Sequence, residues 1–191
     1  MYNTRPSLLL RIRDRSDVEA WRTFDAVYRP MLRRFARAWG LSEDDADEVA
    51  QHCLTALSDR IADFEYDRRR GRFKRWLRTL VNNRVRDLLR QHRPVQADTA
   101  MLGGAQQREA SPEEVFDRIW MEEHLAHGLR SLRDEVEERT FGAFVALVID
   151  QQPVREVCAR FDLKPGNVYT IKWRLTERLA AKVRELADGC E

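Results

Sequence analysis

The sequence predicts an all-α protein made of two small helical domains joined by a flexible linker. Proline and glycine are scarce, with 6 and 8 residues among 191, which favours long helices over a turn-rich β architecture. Apolar residues recur at helical spacing over most of the chain. Residues 94–111 lose this period and gather Pro94, Gly103 and Gly104. They form the predicted linker, and the predicted domains are residues 1–93 and 112–191.

Three helices are predicted in the first domain. Ser16 with Glu19 forms a capping box for the first helix, which ends near Gly40. Ser42 with Asp45 caps the second helix in the same way. The three apolar stripes are Val18, Trp21, Phe24, Tyr28, Met31, Leu32, Phe35 and Trp39; Val49, Cys53, Leu57 and Ile61; and Phe73, Trp76, Leu77, Leu80, Leu88 and Leu89.

The second domain begins with a strong helix start. Ser111 takes the N-cap position, Pro112 the first helical position and Glu114 the third. The apolar stripe of this helix continues to Leu132, and a further helix spans about 137–149.

Residues 154–182 have the pattern of a helix-turn-helix. The first helix covers 154–161, Leu163 fills the space at the turn, and Asn167 is the predicted N-cap of a second helix that ends near Leu186. The outward face of the second helix carries cations and hydrogen-bonding side chains. A recognition helix needs such side chains to read base edges. Similar helix pairs also occur in proteins that bind no DNA. The inward residues are Val157, Cys158, Phe161, Val168, Ile171, Leu175 and Leu179, and the outward ones are Tyr169, Thr170, Lys172, Trp173 and Arg174.

Charge is strongly segregated, although the net charge is only +2. Residues 42–51 hold five acids and no base, and residues 60–93 hold twelve bases against four acids. Residues 113–138 hold nine acids against three bases, and residues 154–186 hold eight bases against four acids. Two basic blocks separated by an acidic one predict two polyanion-binding surfaces and a further surface for another partner. A solvated charged face is the alternative interpretation of each block.

Other functional classes find little support. Cys53, Cys158 and Cys190 are odd in number and widely spaced, which fits a reducing cytoplasm, and no apolar run approaches membrane-spanning length. His124 and His127 lack a third metal ligand at suitable spacing. No nucleophile–base pair or phosphate-binding glycine loop is apparent. We therefore expect a soluble cytoplasmic protein that is not an enzyme and needs no cofactor or metal.

The motifs of both halves together resemble the extracytoplasmic-function (ECF) sigma factors of bacterial RNA polymerase. In that family one helix carries Asp-Ala-Glu-Asp and a later Gln, followed by Phe, Gly, Phe-x-x-Trp-Leu and Asn-x-x-x-Asp-x-x-Arg. A C-terminal signature of Glu-Ile-Ala, a Gly-centred turn and Thr-Val-Lys-Ser-Arg comes next. The resemblance covers about residues 17–93 and 113–186. The matching positions are Asp45, Ala46, Asp47, Glu48 and Gln51; Phe64, Gly71, Phe73, Trp76 and Leu77; Asn83, Asp87 and Arg90; and Glu156, Val157, Cys158, Asp162 and residues 167–171.

The resemblance implies promoter recognition, DNA melting and transcription initiation by a two-domain subunit. A sigma-2-like bundle in 1–93 would bind core RNA polymerase and the −10 element, and a sigma-4-like domain in 112–191 would read the −35 element. The linker would run near the RNA path. The implied polymerase contacts are Asp44, Asp45, Asp47, Glu48 and Gln51. The implied −10 contacts are Phe64, Arg68, Arg69, Arg70, Arg72, Phe73, Trp76, Asn83, Arg86, Asp87 and Arg90. The implied −35 contacts are Arg155, Asn167, Tyr169, Thr170, Lys172, Trp173, Arg174 and Arg178.

Some positions depart from the family, and two other classes stay open. Asp162 replaces the usual turn glycine, which Asp tolerates because it visits the left-handed region more readily than most residues. Tyr169 and Trp173 replace basic or small residues, so the upstream sequence preference cannot be transferred. Many relatives are held by an anti-sigma factor, but nothing in this sequence identifies one. The alternatives are a free-standing helix-turn-helix regulator and an RNA-binding antiterminator or adaptor that uses the arginines of 68–93.

Overall fold

The computed structural model describes residues 8–61, 72–92 and 111–187, and these residues are helical with no strand. This confirms the predicted all-α class. The helices are α1 (Leu8–Arg11), α2 (Val18–Ala38), α3 (Glu43–Arg60), α4 (Arg72–Gln91), α5 (Pro112–Arg133), α6 (Glu138–Val148), α7 (Val154–Phe161) and α8 (Pro165–Ala187).

The chain divides into two compact units within α5. The N-terminal unit comprises Met1–Glu123 with Ala187–Glu191, and the C-terminal unit comprises His124–Leu186. The division differs from the predicted boundary at 111/112 because Phe116 and Trp120, in the first half of α5, are buried in the N-terminal unit. Apart from Ser111, the predicted linker lies outside the described residues. The functional roles of the two predicted domains stay predictions.

Aromatic side chains form the core of the N-terminal unit, in which α3 packs against both α2 and α4. The ring of Tyr28 stacks on that of Phe24, with centroids 4.1 Å apart. The same ring meets the edges of Phe73 and Trp120 at centroid distances of 5.7 and 5.4 Å. Because such pairs add about 0.5–1.5 kcal/mol each beyond their buried area, this cluster ties α2, α4 and α5 together.

The start of α2 differs from the prediction. Asp17, rather than Ser16, is the N-cap, and its carboxylate accepts a hydrogen bond of 2.9 Å from the backbone N–H of Ala20. Arg11 on α1 donates two further hydrogen bonds of 2.9 Å to that carboxylate. These bonds, the one from Arg11 first, lower the pKa of Asp17. The one-turn helix α1, which the sequence pattern did not reveal, therefore selects the cap.

The junction between α2 and α3 agrees with the prediction. After α2 ends at Ala38, Gly40 takes a positive φ of 84°, which glycine adopts without steric cost. Ser42 then caps α3, because its hydroxyl accepts from the Asp45 N–H at 3.1 Å and the Asp45 carboxylate accepts from the Ser42 N–H at 3.3 Å. This confirms the capping box.

The C-terminal unit has two groups of packed apolar side chains, and all four predicted inward residues of α8 are buried. Leu163, at the turn between α7 and α8, packs against both groups, which confirms its predicted position. The first group contains Leu132, Phe144, Ile171, Leu175 and Leu179, and the second contains Ala143, Ala146, Val157 and Val168.

The turn itself confirms one expectation and corrects another. Asp162 adopts the left-handed conformation, with φ 49° and ψ 55°. Asn167 is not the N-cap of α8, because the helix already begins at Pro165. The N–H groups of Asn167 and Val168 donate to the Lys164 carbonyl at 2.9 and 3.2 Å. The earlier start follows the preference of proline for the first helical position.

The packing of α8 predicts a large effect of truncating Leu175. This side chain is fully buried, so Leu175→Ala should lower the free energy of unfolding by about 2–5 kcal/mol. The adjacent exposed residue provides the control, since Thr176→Ala should change it by less than about 0.5 kcal/mol. Urea denaturation of the full chain measures both. Equal unfolding midpoints for the two variants would contradict the described core.

Candidate functional site

The acidic side of α3, which holds the predicted polymerase contacts, is largely neutralised within the N-terminal unit. Asp47 lies 2.8 Å from the Nε of Arg33 on α2, and Glu48 pairs with Arg84 on α4. Gln51 accepts from the guanidinium of Arg29 at 3.3 Å. These side chains therefore help to hold three helices together. Sequence spacing does not reveal these pairs, because the partners lie on other helices.

Two further acids complete the candidate polymerase surface. Asp45 accepts from the Ser42 hydroxyl at 2.7 Å and lies 3.5 Å from His92 Nδ1. The hydrogen bond from Ser42 is the main cause that lowers the pKa of Asp45. Asp44 is exposed and forms no ion pair with the described residues. Asp44 is thus the predicted contact whose charge is most available to a partner.

An exposed polar stripe runs along α4 and contains several predicted −10 contacts. Asn83, Arg86 and Arg90 are exposed, and Asp87 is partly exposed and pairs with Arg90. The stripe continues N-terminally through Thr79 and Arg75, at the same helical spacing. These last two residues were missed, although the helical period of α4 was enough to find them. The stripe consists of Arg75, Thr79, Asn83, Arg86 and Arg90, and we call it the α4 stripe.

The remaining predicted −10 residues are placed differently. Phe73 is 2% exposed and packs in the aromatic core, so it supports α4 from inside. Trp76 is partly buried, and its ring centroid lies 6.1 Å from that of Phe73. Arg72 begins α4, but its side chain is not described. The other predicted contacts, Phe64, Arg68, Arg69 and Arg70, lie outside the described residues.

A second set of cations on α4 is engaged inside the N-terminal unit. Lys74 Nζ lies 2.9 Å from an oxygen of Asp117 on α5 and 5.7 Å from the centre of the Trp120 ring. Arg78 lies 3.9 Å from the same carboxylate, and Arg84 pairs with Glu48. The cations of α4 therefore divide into an inner set, paired with acids of other helices, and the outward α4 stripe.

The outward face of α8 carries most of the predicted −35 contacts. Trp173 and Tyr169 are 71% and 57% exposed. The Thr170 hydroxyl donates to the Gly166 carbonyl at 2.9 Å, so its proton is already used within the helix. Arg155 on α7 and the α8 residues Asn167, Lys172 and Arg174 are also exposed.

The opposite side of α8 is anchored by an ion-pair network. Arg178 lies 2.7 Å from one carboxylate oxygen of Glu135, and Lys182 Nζ lies 2.5 Å from the other. Lys182 first, and then Arg178, lower the pKa of Glu135. Lys182 also donates to the Ser131 hydroxyl at 2.9 Å. Arg178, a predicted −35 contact, is thus engaged in holding α8 to the rest of the C-terminal unit.

The described ranges contain no cluster of metal-binding side chains, and the thiol of Cys53 is buried. No group of three or more His, Cys, Asp and Glu side chains there could hold a metal ion. Burial raises the pKa of the Cys53 thiol to about 12, so this thiol stays protonated at neutral pH. Among the helices of these same ranges, none has the length and apolar composition that crossing a bilayer requires.

The comparison with protein families found one match, which lies in the N-terminal part of the chain. Residues 26–95 match the family described as Sigma-70 region 2. This segment holds most of α2, all of α3 and the α4 stripe. The match covers about a third of the chain, and it shows that this segment is similar to a region that sigma factors carry. Such factors are non-enzymatic transcription initiation factors that bind RNA polymerase and recognise promoters. The comparison with curated proteins found no match.

The α4 stripe predicts a separable effect on nucleic-acid binding. Arg86 is exposed and forms no ion pair with the described residues, so Arg86→Ala should change the free energy of unfolding by less than about 0.5 kcal/mol. Loss of one phosphate contact should weaken binding of a single-stranded oligonucleotide and reduce its log–log salt slope by about 0.7. Fluorescence anisotropy with the full chain, over a range of KCl concentrations, measures both quantities.

Arg84→Ala is the control for this experiment, because Arg84 pairs with Glu48 inside the unit. This variant should lower the unfolding midpoint and leave the salt slope unchanged where the chain remains folded. An unchanged slope in Arg86→Ala, or an equal fall in both variants, would show that the α4 stripe is not the binding surface.

Proposed function

We propose that the chain is a sigma factor of the ECF type, which binds core RNA polymerase and directs promoter recognition, DNA melting and transcription initiation. The observation that carries this proposal is the order of two elements in one chain. A Sigma-70 region 2 match at 26–95 is followed by a helix-turn-helix in α7 and α8. The family motifs of the sequence fall in both elements.

The proposed division of labour follows the surfaces of the two units. The acidic side of α3 contacts core polymerase, where carboxylates mainly set specificity and association rate. The α4 stripe, with the predicted contacts at positions 64–73, binds the −10 element. At that element the cations of the protein bind DNA phosphates, and aromatic side chains stack on an unpaired base. The outward face of α8 reads the −35 element as duplex.

The proposal extends to the cellular setting. The partners are core RNA polymerase and promoter DNA, and the site of action is the cytoplasm, where transcription occurs in bacteria. An anti-sigma factor or another regulator is a further proposed partner, by the resemblance alone. The linker at 94–111 is proposed to pass near the RNA path of the polymerase.

The two alternative functions account for fewer observations. A free-standing helix-turn-helix regulator leaves the region 2 match at 26–95 without a role. An RNA-binding antiterminator or adaptor would use the arginines of 68–93, but it leaves the outward aromatic and cationic face of α8 unexplained. Neither alternative is favoured by a specific contact in the described residues.

Charge reversal at Asp44 tests the proposed polymerase contact without breaking an internal ion pair. Asp44→Lys should weaken the affinity for core polymerase at least tenfold. The carboxylate complements a positive surface of the partner, and a lysine would be repelled by that surface. Charge reversal of Asp47 or Glu48 is less informative, since each would also disrupt a pair that joins α3 to another helix. Fluorescence titration of labelled full chain with core polymerase measures the affinity.

Asp59→Lys is the matched control, since it makes the same change at another exposed position of α3. Fifteen residues of helix separate the two positions by about 22 Å. The control should bind core polymerase within about twofold of wild type. If Asp44→Lys and Asp59→Lys bound equally well, the acidic start of α3 would not be the docking surface.

A further inference from the structure

An exposed aromatic pair occupies the outward face of α8. Trp173 and Tyr169 lie one helical turn apart and are 71% and 57% exposed. Large aromatic side chains contribute most when they are buried, so two of them exposed side by side form an apolar patch that fits a binding surface. The pair stands where the family resemblance leads us to expect basic or small residues.

The cations around Trp173 are arranged symmetrically. Successive helical residues are about 100° apart around the axis, so Lys172 and Arg174 point to opposite sides of the indole. Both are exposed, and neither forms an ion pair with the described residues. On the opposite side of the helix, Arg178 and Lys182 are fixed to the C-terminal unit by Glu135. This anchoring keeps Trp173 outward.

An aromatic side chain flanked by a cation on each side fits a helix that lies in the major groove of duplex DNA. The outermost line of such a helix faces the base edges, while its two flanks face the phosphates. Lys172 and Arg174 would meet the phosphates, and the indole would meet the bases. One turn beyond Trp173, the exposed acid Glu177 lies on the same side, which confines the contact to the first half of α8.

The apolar character of the pair specifies the chemical group that it recognises. In the major groove, the apolar group on the base edges is the C5 methyl of thymine. We propose that Trp173, with Tyr169 beside it, binds the C5 methyl group of a thymine in the duplex element read by α8. This inference rests on the proposed function and adds a specificity that the family resemblance does not supply.

Replacement of thymine by uracil tests the contact, because it removes the methyl group and leaves base pairing intact. The full chain, assembled with core polymerase, is used to select duplexes from a random pool. Each thymine of a selected duplex is then replaced by deoxyuridine, one at a time. At the position that faces Trp173 the affinity should fall about fourfold, which is the effect of losing about 0.8 kcal/mol for one methyl-sized group.

Two variants identify the side chain responsible. In Trp173→Ala the same replacement should have no effect, because the partner of the methyl group is gone. Lys172→Ala should bind both duplexes more weakly and keep the fourfold difference, since it loses only a phosphate contact. Both side chains are exposed, so the unfolding midpoints should match that of the wild type.

The outcomes separate this inference from the proposed function. If no thymine were sensitive, or if Trp173→Ala kept the full penalty, the methyl contact would be wrong and the sigma-factor proposal would stand. Unchanged duplex binding by Trp173→Ala would also overturn the contact. If core polymerase with the chain enriched no duplex beyond core alone, the proposed function would fail, and this inference with it.

Discussion

Helices α4 and α8 share one constraint. Each must bury an apolar stripe and still leave some of its cations exposed to solvent. Burial of a large apolar side chain is worth about 1.5–3 kcal/mol, whereas an exposed ion pair is worth about 1 kcal/mol or less. The apolar stripe therefore fixes how each helix is rotated, and ion pairs on its flanks engage the cations that lie nearest the core. The cations on the outward face remain available for a polyanion. The engaged cations are Lys74, Arg78 and Arg84 on α4 and Arg178 and Lys182 on α8.

Features that depend on neighbouring residues could be predicted from the sequence. The helical period identified the buried side of α8, and the Ser42 box and the left-handed Asp162 follow from local chemistry. The cap of α2 could not be predicted, because Asp17 is selected by Arg11 from a one-turn helix without a periodic signal. The start of α8 at Pro165 follows from the preference of proline for the first helical position, and the prediction of Asn167 as the cap was wrong.

The sequence predicts where the residues of the candidate sites lie along the helices, but it does not predict which of their charges form ion pairs. Sequence spacing placed the acids of α3 and the polar residues of α4 on their helices, but it could not show which charges are neutralised. Asp47 and Glu48 are paired with arginines of α2 and α4, while Asp44 is not paired with any described residue. Likewise, Phe73 belongs to the core because Tyr28 and Trp120 pack around it. Such distinctions need the three-dimensional contacts, and they determine which substitutions can probe function without unfolding the chain.

The proposed function requires that the segment similar to region 2 binds polymerase, that the helix-turn-helix reads duplex DNA, and that the two act together at promoters. Run-off transcription tests this most directly. Core RNA polymerase is supplied with a linear duplex that the chain has selected, in the presence and absence of purified chain. We expect chain-dependent transcripts that start at a fixed distance downstream of the selected element. Binding of the chain to that duplex without any chain-dependent transcript would rule out a sigma factor and would favour a regulator that acts outside the polymerase.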